Sequence, residues 1–116
     1  MRFAWENFVE VAEFLQSQNK DAYLRSAVSR AYYAACCTLR DALNIQVRNK
    51  SVHKELGEKL RKCNKYYADL LRRLRVLRNS CDYENSYRIN RKDVESAIKD
   101  ARVLIEGAET LKHCNP

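Results

Sequence analysis

Two glycines, Gly57 and Gly107, and one proline, the final residue Pro116, are all the backbone punctuation this chain of 116 residues carries. Glycine and proline turn a chain tightly or end an element, so a sheet protein of this length needs many more of them. With 46% of the residues apolar, a core must be buried using few tight turns. Long helices joined by short loops are the economical solution. The expected fold is therefore all-α: an antiparallel bundle of four to five helices forming a single domain over residues 1–116. A chain of this size can hold its own core, yet it lies near the range where a second subunit adds useful burial.

Apolar periodicity places the helices. Trp5, Phe8, Ala12 and Leu15 form the stripe of a short first helix, which the polar run from Ser17 to Asp21 ends. Asn19 or Asp21 can cap the next helix, expected over about residues 22–43. Leu24, Ala27, Val28, Ala31, Ala34, Ala35 and Leu39 give it a face of small residues that lets a neighbour approach closely, with Arg30, Tyr32 and Tyr33 beside that face. A polar connection over 44–50 leads to a third helix, about 51–63, with Val52, Leu56 and Leu60 inward and Gly57 inside it. A fourth begins near Tyr66 with Leu70, Leu74, Leu77 and Cys81 inward. Periodicity fades over 84–89, and Asn90 caps a fifth helix whose core stripe is Val94, Ala97, Ile98, Ala101, Leu104, Ile105 and Leu111.

The charge of +7 is concentrated in one place. Residues 59–78 hold eight Lys or Arg against the single acid Asp69, a local net of +7, while the rest of the chain balances at fourteen basic and fourteen acidic residues. A cationic element of this kind points to an anionic partner, nucleic acid above all, with a merely solvated basic face as the alternative.

Several chemistries lack their residues. The two glycines lie fifty residues apart, so there is no glycine-rich phosphate loop. No Glu-x-x-His pair supports a di-metal carboxylate bundle, and the five cysteines and two histidines lack zinc spacing. No metal and no cofactor is expected. The odd cysteine count without a CxxC pair, and the absence of a readable secretory leader, lead to the expectation of small buried thiols in a reducing cytosol. A Cys–His pair such as Cys63 with His53 is a conceivable nucleophile, although a helical cysteine is far more often packing. No apolar run approaches a membrane span, so a soluble, cytoplasmic protein is expected.

What remains is the fourth helix. Arg75, Arg78, Asn79 and Asp82 recur at three- to four-residue spacing and share a face. Guanidinium forks suit phosphate oxygens, so Arg75 and Arg78 can clamp a phosphate, with Arg72 and Arg73 reaching further along the nucleic-acid backbone. Asn79 can bond a base or ribose, Asp82 can orient Arg78 one turn back, and Tyr83 can stack or donate its hydroxyl. The plainer alternative is an Arg78–Asp82 pair on a solvated face, with Tyr83 as a helix-end core aromatic.

Two runs, Ser29-Arg30-Ala31-Tyr32-Tyr33-Ala34-Ala35 and Arg78-Asn79-Ser80-Cys81-Asp82-Tyr83, occur in the order found in the HEPN superfamily, which the chain resembles over nearly its whole length. The resemblance implies a helical bundle that pairs across a two-fold axis. In nuclease members, arginines of both subunits line a shared cleft that cleaves RNA without metal, and many members act in toxin–antitoxin or antiviral defence systems, often beside a nucleotidyltransferase. Carried over, Arg78, Asn79 and Tyr83 are the candidate catalytic residues, and Arg30, Tyr33, Arg72, Arg73, Arg75 and Asp82 the candidate substrate-binding ones.

The chain departs from the nuclease pattern at one point. That pattern places a histidine about four to six residues after the arginine, where this chain has Tyr83, Glu84 and Asn85. A phenol titrates near 10, so Tyr83 can donate a proton but is a poor base at neutral pH. Three readings follow: a dimeric RNA-directed protein with weak or conditional endoribonuclease activity; a non-catalytic module that holds RNA, a nucleotide or a partner protein; and a structural adaptor. The missing histidine favours the second over the first, and the focused charge disfavours the third.

Overall fold

Five α-helices and one 3₁₀ turn account for the computed structural model, which describes residues 3–46 and 52–114; no strand occurs among them. After the 3₁₀ turn Trp5–Asn7 come α1 (Phe8–Ser17), α2 (Asp21–Ala42), α3 (Val52–Cys63), α4 (Lys65–Tyr83) and α5 (Arg91–Leu111). The connection expected over 44–50 falls largely on residues outside the described ones.

Asparagine supplies the punctuation that glycine and proline do not. Asn19 and Asn44 adopt the left-handed conformation, φ 53° and 58°, directly after α1 and α2. Among residues with a Cβ, asparagine tolerates that region best. At Asn44 the ending is complete: the Ile45 N–H donates to the Arg40 carbonyl at 3.0 Å and the Asn44 N–H to Asp41 at 3.2 Å, the paired bonds of a Schellman motif. Asn19 thus closes α1 instead of capping α2. The α2 N-cap is Lys20, which makes no side-chain cap, and Asp21 is already helical. Asn64 alone separates α3 from α4, and its side chain accepts the Tyr67 N–H at 3.0 Å; Asn90 does the same for Asp93 at 2.8 Å, as expected.

The core forms around α2, which packs against α1, α4 and α5, while α3 packs on α4. All seven small or aliphatic residues expected on the inner face of α2 are buried. On α4, Leu70, Leu74 and Cys81 are buried with Leu77 partly covered; on α5 the whole expected stripe is buried except Ile105, which is partly so. α1 is rotated slightly from expectation: Val9 and Ala12 are fully inside, whereas Phe8 and Leu15 lie at the core margin. Trp5 reaches α2 instead, donating its indole N–H to Asp41 at 3.0 Å.

The two glycines differ in purpose. A Cβ on Gly107 of α5 would collide with the Tyr67 ring of α4, so this residue sets how closely the two helices approach. Gly57, with no positive φ, has nothing within 4 Å of such a Cβ, and it costs α3 about 1 kcal/mol relative to alanine.

The expectation of five buried thiols needs correction. Cys36, Cys37 and Cys81 are buried and free, but Cys63 and Cys114 form a disulfide across 51 residues, with Cα atoms 6.1 Å apart. The end of α3 is thereby tied to the turn after α5. The pair has no local spacing signal, and connectivity of this kind follows from the tertiary fold alone. It also removes the Cys63 thiol from any nucleophilic pair with His53. No helix among the described residues is long and apolar enough to cross a membrane.

Candidate functional site

The spacing on α4 brings Arg78, Asn79 and Asp82 together as expected, and α2 supplies the other half of the site. Arg78 is enclosed, its side chain only 11% exposed. The guanidinium carbon lies 5.7, 5.0 and 5.4 Å from the ring centroids of Tyr32, Tyr33 and Tyr83. Its nitrogens donate to the Tyr33 hydroxyl at 2.6 Å, the Tyr83 hydroxyl at 3.3 Å and the Asn79 side-chain oxygen at 3.0 Å. A cation among three aromatic faces is attracted by their quadrupoles, the more so where water is excluded.

Asp82 completes the enclosure. Its Oδ2 lies 2.8 Å from Arg78 Nε and accepts the Ser29 hydroxyl at 3.2 Å. The Nε N–H is not aimed at the carboxylate, so this contact is a close ion pair and not a linear hydrogen bond, and Nε is otherwise without a partner. The Asp82 carboxylate is 24% exposed. The Arg78–Asp82 pair therefore exists, but it belongs to a cage and not to a solvated face. Tyr83 is not a core aromatic: it is 71% exposed and covers the cage from outside.

The other candidate residues divide. Arg72 and Arg75 are exposed and make no ion pair among the described residues. Both line a cleft of about 280 Å³ between α3 and α4, together with Tyr32 and His53. Arg73 does not join them. At 100° per residue it points about 160° away from Arg75, and it pairs with Asp100 of α5 at 2.9 Å. Arg30 shares the Tyr33 ring with Arg78 at 5.5 Å and also lies 4.9 Å from the Phe8 ring, making it part of the aromatic surround.

Three residues of this region carried little sequence signal. Arg25 of α2 donates to the carbonyls of Cys81 at 2.9 Å, Glu84 at 3.0 Å and Tyr87 at 2.5 Å, capping the end of α4 that bears the cage. Ser29 is identifiable only through the resemblance. His53, distant in sequence, comes to the site because α3 packs on α4. Its Nδ1 is 2.7 Å from the Tyr32 hydroxyl oxygen and 4.0 Å from the Cys36 sulfur.

Protonation at this corner follows from burial. Burial above all, with the neighbouring Cys36, pushes the Tyr32 phenol well above its usual range, so it keeps its proton. Burial, then the positive Arg75 and Arg78, pull the His53 ring below its ordinary 6.5, so it is neutral at pH 7. The Tyr32 hydroxyl and His53 Nδ1 thus share a hydrogen bond between two neutral groups, its direction set by the imidazole tautomer. In either tautomer Nδ1 is engaged by Tyr32, and Nε2 is the ring nitrogen left to meet a ligand. Among the described residues no cluster of His, Cys, Asp and Glu can hold a metal. The chain matches no family model, no curated protein and no solved structure.

Proposed function

We propose that this chain is an RNA-directed protein of HEPN type, serving a cytoplasmic toxin–antitoxin or antiviral defence system. It binds RNA through the basic face of α4 and cleaves it, without metal, only weakly or under a specific condition. The observation that carries this reading is the juxtaposition of two exposed arginines, Arg72 and Arg75, without an ion pair among the described residues, with the caged Arg78. Free guanidiniums on a rigid helix suit phosphate oxygens, and the cage holds their helix in place. Weak cleavage follows from the missing histidine: Tyr83 stands where the nuclease pattern has one, and His53, on another helix, has its Nδ1 engaged by Tyr32. General acid–base help is typically worth about 10²–10⁴-fold, and that contribution is missing here.

The exposed Val76 (57%) and Tyr83 (71%) on the same outer side of α4 favour a protein partner as well. A second copy of the chain, giving a homodimer with two Arg78 cages side by side, is the first choice, and a nucleotidyltransferase antitoxin or defence-complex subunit is the second. As an alternative reading, the chain is a non-catalytic adaptor that engages RNA, nucleotide or such a partner.

The test is incubation of the purified chain with tRNA and mRNA in EDTA, beside Arg75→Ala and Tyr83→Phe. Slow cleavage lost in Tyr83→Phe, with binding retained, fits the first reading; binding without cleavage fits the adaptor. Robust cleavage that survives Tyr83→Phe refutes the assignment of Tyr83, and absence of RNA binding refutes the RNA reading. Sedimentation as a monomer at micromolar concentration would remove the homodimer.

A further inference from the structure

Gly57 serves neither backbone conformation nor packing, yet it sits in the middle of α3, where glycine weakens a helix. What its bare backbone does is lower one wall of the α3–α4 cleft. That cleft is about 280 Å³, near the lower end of the roughly 300–1,000 Å³ range of small-molecule sites, and it suits a single ring system. Tyr32 and Leu71, both buried, give it an apolar floor, His53 lines it with a neutral ring, and Arg72 and Arg75 stand along its α4 side. From α3, Lys54, Glu58 and Arg61 also line it, with Arg61 already paired to Asp69, so cations stand on both sides of the slot.

An apolar slot of ring size with two exposed guanidiniums on one rim, neither in an ion pair among the described residues, matches a nucleotide, with the base in the slot and the phosphate on the rim. We propose that the α3–α4 cleft takes one nucleotide unit of single-stranded RNA, its unpaired base seated beside Gly57 and its phosphate held by Arg72 and Arg75. The source of the nucleotide rests on the RNA reading, whereas the fit of the slot does not. Bases locked in a duplex cannot enter, so duplex RNA engages the guanidiniums alone.

The experiment uses the full chain. Fluorescence anisotropy measures labelled single-stranded oligo(U) and oligo(A) and a duplex RNA against wild type, Gly57→Leu, Gly57→Ala and Arg75→Ala. An NMR titration with UMP and AMP follows the His53 ring signals. Gly57→Leu fills the slot, while Gly57→Ala strengthens the helix with little filling and serves as the fold control. Base seating is lost in Gly57→Leu, so single-strand affinity falls about tenfold or more while duplex affinity stays level. Single-strand affinity equal to wild type in Gly57→Leu, with Arg75→Ala weakened, overturns the base slot and leaves RNA binding standing. Mononucleotide shifts at His53 without RNA binding support the slot and refute the RNA source. Neither RNA binding nor mononucleotide shifts overturns both, and the NMR arm on wild type decides the slot even if Gly57→Leu does not fold.

Discussion

Replacing Arg78 with methionine keeps much of the side-chain volume and removes the charge, which isolates the electrostatic part of the cage. At 2.8 Å and an effective dielectric near 20, the Arg78–Asp82 attraction is about 6 kcal/mol before desolvation is subtracted. The guanidinium is largely enclosed, but the carboxylate is about a quarter exposed and therefore screened. The net loss should fall between the ~0.2–1 kcal/mol of an exposed pair and the ~3–5 kcal/mol of breaking a buried one, at about 2–3 kcal/mol. The charged hydrogen bond to the Tyr33 hydroxyl at 2.6 Å puts the value in the upper part of that interval. Urea unfolding followed by circular dichroism measures it for Arg78→Met, Asp82→Asn and the double variant. Because each single change strands the other group, the double variant should be less destabilised than the sum, with a coupling of about 1 kcal/mol or more. If Arg78→Met unfolds within about 0.5 kcal/mol of wild type, the size of an ordinary surface substitution, the cage is not a structural unit and Arg78 is free to act elsewhere.

Further outcomes separate the arginines, the thiols and the disulfide. Removing one phosphate-binding guanidinium, in Arg72→Ala or Arg75→Ala, should flatten the salt dependence of single-strand RNA binding by about 0.7, whereas Arg73→Ala, which faces α5, should leave the slope unchanged; equal effects at all three positions would refute the division of the face. Reduction of Cys63–Cys114, or Cys63→Ser, should lower the unfolding free energy by about 4 kcal/mol on loop entropy for 51 residues, read from urea curves with and without dithiothreitol. Burial pushes Cys36 up to about 11 and Cys81 up to about 12 from 9.0, so the unfolded thiols ionise first; stability should be fully present below pH 9 and decline as pH rises toward 12, less so in Cys81→Ala. The opposite limb belongs to His53, whose lowered pKa means that the unfolded ring takes up a proton first; stability should decline as pH falls below 6.5, and His53→Gln should remove that part of the slope.

The helices were legible in the sequence because their apolar residues repeat at helical spacing and because asparagine marks several of their ends. Leu70, Leu74 and Cys81 announce the inner face of α4 without help from any other element. The grouping of Arg78, Asn79 and Asp82 was equally visible, since residues three and four apart on a helix are neighbours. What could not be read were relations between helices. Tyr32, Tyr33 and Ser29 become walls of the cage, and His53 joins Tyr32, only once α2, α3 and α4 have docked. That Arg73 turns toward Asp100 and away from Arg75 was hidden as well, because charge counts along a sequence ignore the 100° step. The Cys63–Cys114 bond was invisible for the same reason as His53: two points far apart in the chain meet through packing, and no local pattern reports it.

Arg25 gives the α4–α5 connection a built-in grammar of where length can change. Its guanidinium holds three carbonyls, at 81, 84 and 87, so this stretch is stapled to α2 at every third residue. Extra residues inserted before Tyr87 would pull at least one carbonyl off the staple and loosen the last turn of α4, where Asp82 and Tyr83 sit. Beyond Tyr87 the carbonyl staple ends, but Ile89 packs against the core and the Tyr87 hydroxyl donates to Asp93 of α5 at 2.8 Å, so added length there would pull on the start of α5 instead. For anyone grafting a tag, a protease site or a fluorescent reporter into this chain, the whole run from Cys81 to Asn90 is therefore a stretch of fixed length and the wrong place for a guest.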